Sequence, residues 1–354
     1  MISLAEVLRL HWPQYERRFG AQILPSHRQA VESILKCRTP ALGGQVYFCA
    51  NCRREHFVYH SCNHRACPQC GQADAAAWIE EQKRKLLPVG YYLITFTVPQ
   101  ALRSWLRSNQ KKGYRALLKE SAATLQDVAS RQKYLGAQLG ILSVLHTWGR
   151  QLQYHPHVHC VVPAGGLRAG GWQWCRPKSA DYFLPHKVLA ARWRTRLQEA
   201  LREFCAQIPI TVWKQNWVVD IRPVGSGQAA VKYLAAYVYR TALGSQRIVS
   251  ADAHQVTFQY KDSEDGTWQQ LRLDPCEFIR RFLQHVLPKG FQRVRRYGWL
   301  SAAALLKWQR ILLLLDWTMP PLKPPQQLQP RCLRCGQPLE WIVTLGRAPP
   351  KSTG

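Results

Sequence analysis

The chain has 354 residues and carries 49 Lys and Arg against 21 Asp and Glu, a formal net charge of +28. With 46% apolar and 11% aromatic residues it is not a disordered chain, and its length allows about two domains. So large a positive excess repels itself without an anionic partner, and nucleic acid is the expected one.

In chain order, residues 1–88 read as an amino-terminal helical and zinc-binding domain. The segment "AAAWIEEQKRKLL" (75–87) predicts a helix that Pro88 ends, and "YYLITFTVPQ" (91–100) is a β-branched and aromatic strand. A long helix is expected over 101–132. Two strands follow, "GILSVLHTWG" (140–149) and "HVHCVVPAGG" (157–166), as a hairpin joined by "RQLQYHP". Residues 186–204 predict a helix, 216–224 a strand and 227–243 a helix. "QVTFQYKD" and "WQQLRLD" suggest a second hairpin before the helical "PCEFIRRFLQHVLP". Intermingled helices and hairpins favour an α+β fold with helices on the faces of a sheet. Residues 89–300 are taken as the main domain, and 301–354 as a helix, a Pro-rich linker and a tail with "CLRCG". The first residues lack a basic leader with an apolar core and cleavage site, and Ile311 to Leu315 is far short of the roughly 18 apolar residues that span a bilayer. The expectation is a cytoplasmic protein with no membrane role.

Such a compartment favours metal-bound or reduced cysteines over disulfides for the twelve in the chain. Cys49-x2-Cys52 and Cys67-x2-Cys70 form two thiolate turns that can close on one tetrahedral zinc. Cys62 and His64 remain as possible extra ligands. Cys332-x2-Cys335 is half a site with no partner pair nearby in sequence.

"HPHVH" (155–159) poses the sharper question. Strand side chains alternate, so His157 and His159 project to one face while Val158 and Cys160 turn away. Two imidazoles on a rigid strand suit a divalent ion, Mg or Mn. His146, across the hairpin, is the preferred third ligand; His155 is the competitor, though Pro156 should divert the backbone between it and His157. Downstream, Tyr233 and Tyr237 stand four apart, on one helix face. A phenol can attack a phosphodiester without ATP, because one ester of phosphate replaces another.

Together, "CNHRACPQC", "LHTWGRQLQYHPHVHCVVPAGG", "VKYLAAYVYRTAL" and "FIRRFLQHVLPKGFQRVRRYGWL" resemble the rolling-circle insertion-sequence transposases. That family has an amino-terminal zinc-binding domain and a two-tyrosine HUH nuclease domain, and the resemblance covers nearly the whole chain. It implies a central antiparallel sheet with flanking helices, with metal at His157 and His159 and nucleophiles at Tyr233 and Tyr237. It also implies nicking and rejoining of single-stranded element ends and target DNA. Relatives often carry His where this chain has Ala66, which points to His64 as a substitute. The same chemistry would serve a plasmid or phage replication initiator or a relaxase. A non-enzymatic zinc-containing DNA-binding regulator would need neither the histidines nor the tyrosine pair.

Two basic segments interleave cations with rings, a pattern suited to single strands. One holds Arg103, Arg107, Lys111 and Lys112 beside Trp105. The other holds Arg293, Arg295 and Arg296 beside Phe291, Tyr297 and Trp299. Arg240, close to one turn beyond Tyr237, is a further candidate phosphate contact.

Overall fold

The computed structural model describes residues 2–70, 72–179, 182–239, 242–262, 264–321 and 329–347. In order, its first part runs α1 (Leu4–Phe19), α2 (Pro25–Lys36), β1 (Gly44–Cys49), β2 (Arg54–Tyr59), α3 (Gln72–Arg84), β3 (Tyr91–Thr97), α4 (Gln100–Ser108) and α5 (Gln110–Ser130). Next come β4 (Ala137–Gln138), β5 (Gly140–Trp148), β6 (Tyr154–Pro163), β7 (Gly166–Arg168), β8 (Trp174–Cys175), α6 (His186–Ala200), α7 (Thr211–Lys214), β9 (Val218–Pro223) and α8 (Gln228–Tyr239). The last elements are β10 (Ile248–Ala251), β11 (Val256–Lys261), β12 (Trp268–Leu273), α9 (Pro275–Leu283), β13 (Val294–Gly298), α10 (Leu305–Leu314) and β14 (Glu340–Leu345). The helix expected over 101–132 is two: Asn109 leaves the helical region at φ −118°, ψ 40°, and both its backbone N–H and its side-chain amide donate to the carbonyl of Trp105, closing the first helix. No described helix is long and apolar enough to cross a membrane.

The chain divides into two compact units, and both are discontinuous, unlike the three successive segments read from the sequence. One unit gathers Met1–Asp74, Tyr239–Val286 and Lys323–Gly354. Its helix α1 starts with Ser3 and Glu6 capping each other, and buries Leu4, Val7, Leu8, His11 and Tyr15 on one face. Helix α9, capped by Asp274, packs beside α1. Strand β1 pairs antiparallel with β2 on one side and with the tail strand β14 on the other. A tail that sequence alone treats as an appendage is thus part of the amino-terminal sheet, because a strand edge can be completed from anywhere in the chain.

The other unit, Ala75–Val238 with Leu287–Leu322, is built on an antiparallel five-stranded sheet in the order β13-β5-β6-β3-β9. Every residue of β5 is buried, as befits a strand covered on both faces. Alternation sorts the side chains. Val158, Cys160 and Val162 join Ile94, Phe96 and Ile141 in the main core under α4, α5 and α6. Val161 lies on the opposite face with Leu142 and Val144, where Ala230 and Leu234 of α8 cover them. The fold is α+β, a central antiparallel sheet with flanking helices.

Candidate metal and nucleophile site

The face of the sheet that bears α8 also bears the histidines. Register places His157 opposite His146 and His159 opposite Val144, while Thr95 and Thr97 of β3 flank them from the other side. Between His157 and Tyr154 the pairing slips: three steps on β6 match two on β5 from His146 to Trp148. The extra residue falls at His155–Pro156, and a bulge is one of the few places in a sheet where proline, lacking an N–H, is tolerated. His155 is therefore a strand residue rather than a turn residue, and the bulge removes it from the alternation that His157 and His159 follow.

His146 Nδ1 lies 2.8 Å from His157 Nε2, which lies 3.1 Å from His159 Nε2. Adjacent ligands of an octahedral ion with bonds of 2.0–2.1 Å would stand about 2.9 Å apart, so the three nitrogens fit such an ion. The far side of two rings is tied down. His157 Nδ1 donates to the carbonyl of His155 at 2.7 Å, and His159 Nδ1 meets the Thr95 hydroxyl at 3.0 Å. A proton held on Nδ1 leaves the Nε2 lone pair facing the common point. Burial pushes His157 well below its ordinary value, with repulsion from His159 adding to it, and burial pushes His159 down to about 4. Both rings are neutral near pH 7, the form that binds a metal.

Tyr233 arrives on α8. That helix is set by a turn: Gly227 has φ +78°, the Val224 and Tyr91 amides bond the carbonyls of Tyr91 and Gly225 across to β3, and Val231 N–H begins the helix on Gly227 O. A Cβ on Gly227 would sit 2.7 Å from the Tyr91 ring, so glycine is required twice over. With Ala230 and Leu234 anchoring the buried side, Tyr233 stays 43% exposed and its ring stands edge-on to His159, centroids 5.6 Å apart. Tyr237 continues the same helix one turn on; its side chain and all of Arg240 lie outside the described residues.

Two of the candidate basic groups, Arg103 and Arg107, lie at the same end of β6. Arg103 of α4 is half-buried, with no hydrogen-bond partner for Nε, and its charge adds to the burial that holds His155 down to about 4. Arg107 lies over the Tyr154 ring at 5.9 Å. Lys111 and Lys112 are exposed, the latter near Glu203. Arg293 precedes, and Arg295 and Arg296 belong to, the edge strand β13, where Arg296 donates to Gln82. Three of the four rings named with them are not free for bases: Trp105, Phe291 and Trp299 are buried, the first two in the main core, while Tyr297 is half-buried. Interleaving in sequence here reflects the two sides of amphipathic elements.

The cysteines group differently from their order. Cys67 and Cys70 meet Cys37 and Cys62, whereas Cys49 and Cys52 meet Cys332 and Cys335. The single site of Cys49, Cys52, Cys67 and Cys70 is not formed; β1 leads its turn toward the tail instead. In the first group Sγ–Sγ distances of 3.5 Å (Cys37–Cys70) and 3.6 Å (Cys62–Cys70) match the edge of about 3.8 Å expected for tetrahedral zinc–thiolate bonds. Cys62 is thus a member, as the sequence allowed. His64 is in neither group, and its Nδ1 accepts the Ala66 amide at 3.1 Å. Cys37 precedes both CxxC pairs and has no motif of its own, so nothing in the sequence marks it as a ligand.

Two family descriptions match the chain: "Putative transposase" over residues 140–306, and "Transposase zinc-binding domain" over residues 7–98. The protein named "Putative transposase y4qJ" of Sinorhizobium fredii is 34% identical over 327 residues, 84% of this chain and 80% of its own. The transposase for insertion sequence element IS801 of Pseudomonas savastanoi pv. phaseolicola is 28% identical over 299 residues, 77% of this chain and 70% of its own. A solved structure of the conjugative relaxase TrwC in complex with oriT DNA covers 64% of this chain and 73% of that one at 15% identity and a TM-score of 0.25, a likeness that adds nothing to the assignment. With the zinc-binding segment, the buried histidines and the tyrosine helix in the matched order, the chain belongs to the rolling-circle, two-tyrosine insertion-sequence transposases.

Proposed function

We propose that this transposase nicks and rejoins single-stranded DNA at its element's ends through a 5′-phosphotyrosine formed on Tyr233 or Tyr237. The observation that carries the reading is the Tyr233 ring 5.6 Å from that of His159, beside three converging imidazole nitrogens. A divalent ion held by His146, His157 and His159, Mn or Mg, would supply positive charge to polarise the scissile phosphate. The phenolic oxygen bonds to phosphorus as the bond from phosphorus to the 3′-oxygen breaks. The phenol loses its proton, and the leaving 3′-oxygen gains one. A free 3′-OH reverses the step on the same phosphotyrosine, and a second tyrosine one helical turn away serves the other end. Arg103, half-buried near His155, is the basic group best placed to take a phosphate of the bound strand, with Arg107, Lys111, Lys112, Arg293, Arg295, Arg296 and Arg240 as further backbone contacts.

The test is a covalent adduct. Full-length protein, Mn or Mg and a 3′-labelled single-stranded element-end oligonucleotide should give a labelled band that survives denaturation. The double substitution Tyr233→Phe and Tyr237→Phe should abolish it. An adduct that persists in that variant refutes the nucleophile assignment, and tight DNA binding with no adduct under any metal would make the protein a regulator.

A further inference from the structure

The match to the transposase zinc-binding domain ends at residue 98, yet half of the second cysteine group comes from the tail. Cys49 and Cys52 flank the turn between β1 and β2, and Cys332 and Cys335 the turn that leads into β14. We propose that Cys49, Cys52, Cys332 and Cys335 hold a second structural zinc, and that this ion clips the carboxy-terminal tail onto the amino-terminal hairpin.

Three observations carry it independently of the nuclease chemistry. The sulfurs are spaced for one ion: Cys49–Cys335 is 3.6 Å and Cys52–Cys332 is 3.9 Å, on either side of the tetrahedral edge of about 3.8 Å. The two turns are also built alike. Each places a left-handed residue directly after its second cysteine, Arg53 at φ +50° and Gly336 at φ +73°, which reverses the chain and leaves both sulfurs of the pair facing inward. In the first turn the Cys52 amide points at Cys49 Sγ, 3.5 Å away; in the second, Gly336 N–H bonds Cys332 O and Cys332 N–H bonds Gln337 O, both at 2.8 Å. Arg53 holds this conformation without the freedom of glycine, a cost that a folded turn retains for a reason.

The third observation is what else fails to hold the tail. All six residues of β14 are exposed, so its pairing with β1 rests on backbone hydrogen bonds. The buried cluster there is Cys49, Cys332 and Leu339, with Tyr47, Cys52 and Cys335 partly buried around it. A small sheet whose added strand leaves its apolar side chains exposed is marginal in water, and metal ligation is the usual remedy. Free, the four thiols would crowd one another at this spacing with little gain; as thiolates on zinc they become the core. His56 Nε2, 3.4 Å from Cys332 Sγ, is positioned to donate to that thiolate.

Native mass spectrometry and elemental analysis of the full chain read the outcome directly. Two zinc ions per chain are expected, falling to one in Cys332→Ser/Cys335→Ser and to one in Cys37→Ser/Cys62→Ser. One zinc in the unmutated chain, or two retained in Cys332→Ser/Cys335→Ser, overturns the proposal. A second reading needs no variant: in the unmutated chain Cys332 and Cys335 should resist alkylation until a chelator is added. Labelling of both at once, before chelation, equally overturns it.

Discussion

The histidine site and the tail cysteine site are both clusters of ligand-type side chains, but they are assembled in opposite ways. His146, His157 and His159 come from two neighbouring strands joined by a short connection, on a sheet face packed under α8. Cys49 and Cys335 are 286 residues apart and meet where a fully exposed strand is added to an edge. The first cluster is held by the core around it; the second has almost no core but itself. A site that must be rigid for chemistry can rely on packing, whereas a site that exists to hold the fold together becomes the packing.

The sharpest way to break this contrast is to remove a ligand from the rigid side. His157→Ala should lower adduct formation by about 10³-fold, the several kcal/mol that a polarising ion supplies, while the fold and the zinc content stay unchanged. Zinc loss or cooperative unfolding in that variant would show that the two sites are not separately held.

A smaller effect is expected one layer out. Thr95→Val removes the hydroxyl on His159 Nδ1 and leaves the strand and its β-branched packing in place. The concentration of Mn needed for half-maximal adduct should rise about 10–100-fold, with activity recovered at saturation. An unmoved titration curve would mean the threonine does not orient the ring.

The mildest test concerns the turn that aims Tyr233. Gly227→Ala forces a Cβ toward the Tyr91 ring at φ +78°, whereas Gly225, also left-handed at φ +55°, has nothing within 4 Å of such a Cβ. Alanine at 227 should cost about 1–3 kcal/mol, read in denaturant melts, and alanine at 225 clearly less. Equal costs would remove the close approach to Tyr91 as the reason for glycine.

The same contrast decides what was legible in the sequence. Alternation separates His157 and His159 from Val158 and Cys160, a short connection brings His146 across, and a spacing of four puts Tyr233 and Tyr237 on one helix. All three are local rules, and the structure brings His146, His157, His159 and Tyr233 together. The sequence puts His155 and Pro156 in the connection between the strands, whereas they belong to β6, where the proline marks a bulge that shifts the register. Nearness in sequence groups the cysteines differently from nearness in space, and nothing in a CxxC says which other pair it will face. The basic segments misled for a related reason. Charge and aromaticity side by side in sequence part in the structure, so Trp105 is buried in the core while Arg103 is half-buried.

The pairing of β14 with β1 also orders events in time. The amino-terminal hairpin leaves the ribosome with one edge bare and the Cys49 and Cys52 thiols facing nothing. Its other half follows 286 residues later, about 15 to 60 s at ordinary rates of synthesis. A chain cut short by a premature stop would carry the histidines and both tyrosines and still lack the strand that closes its first sheet. Synthesis at least as far as β14 thereby becomes a condition for closing the first sheet, and residues made late certify residues made early.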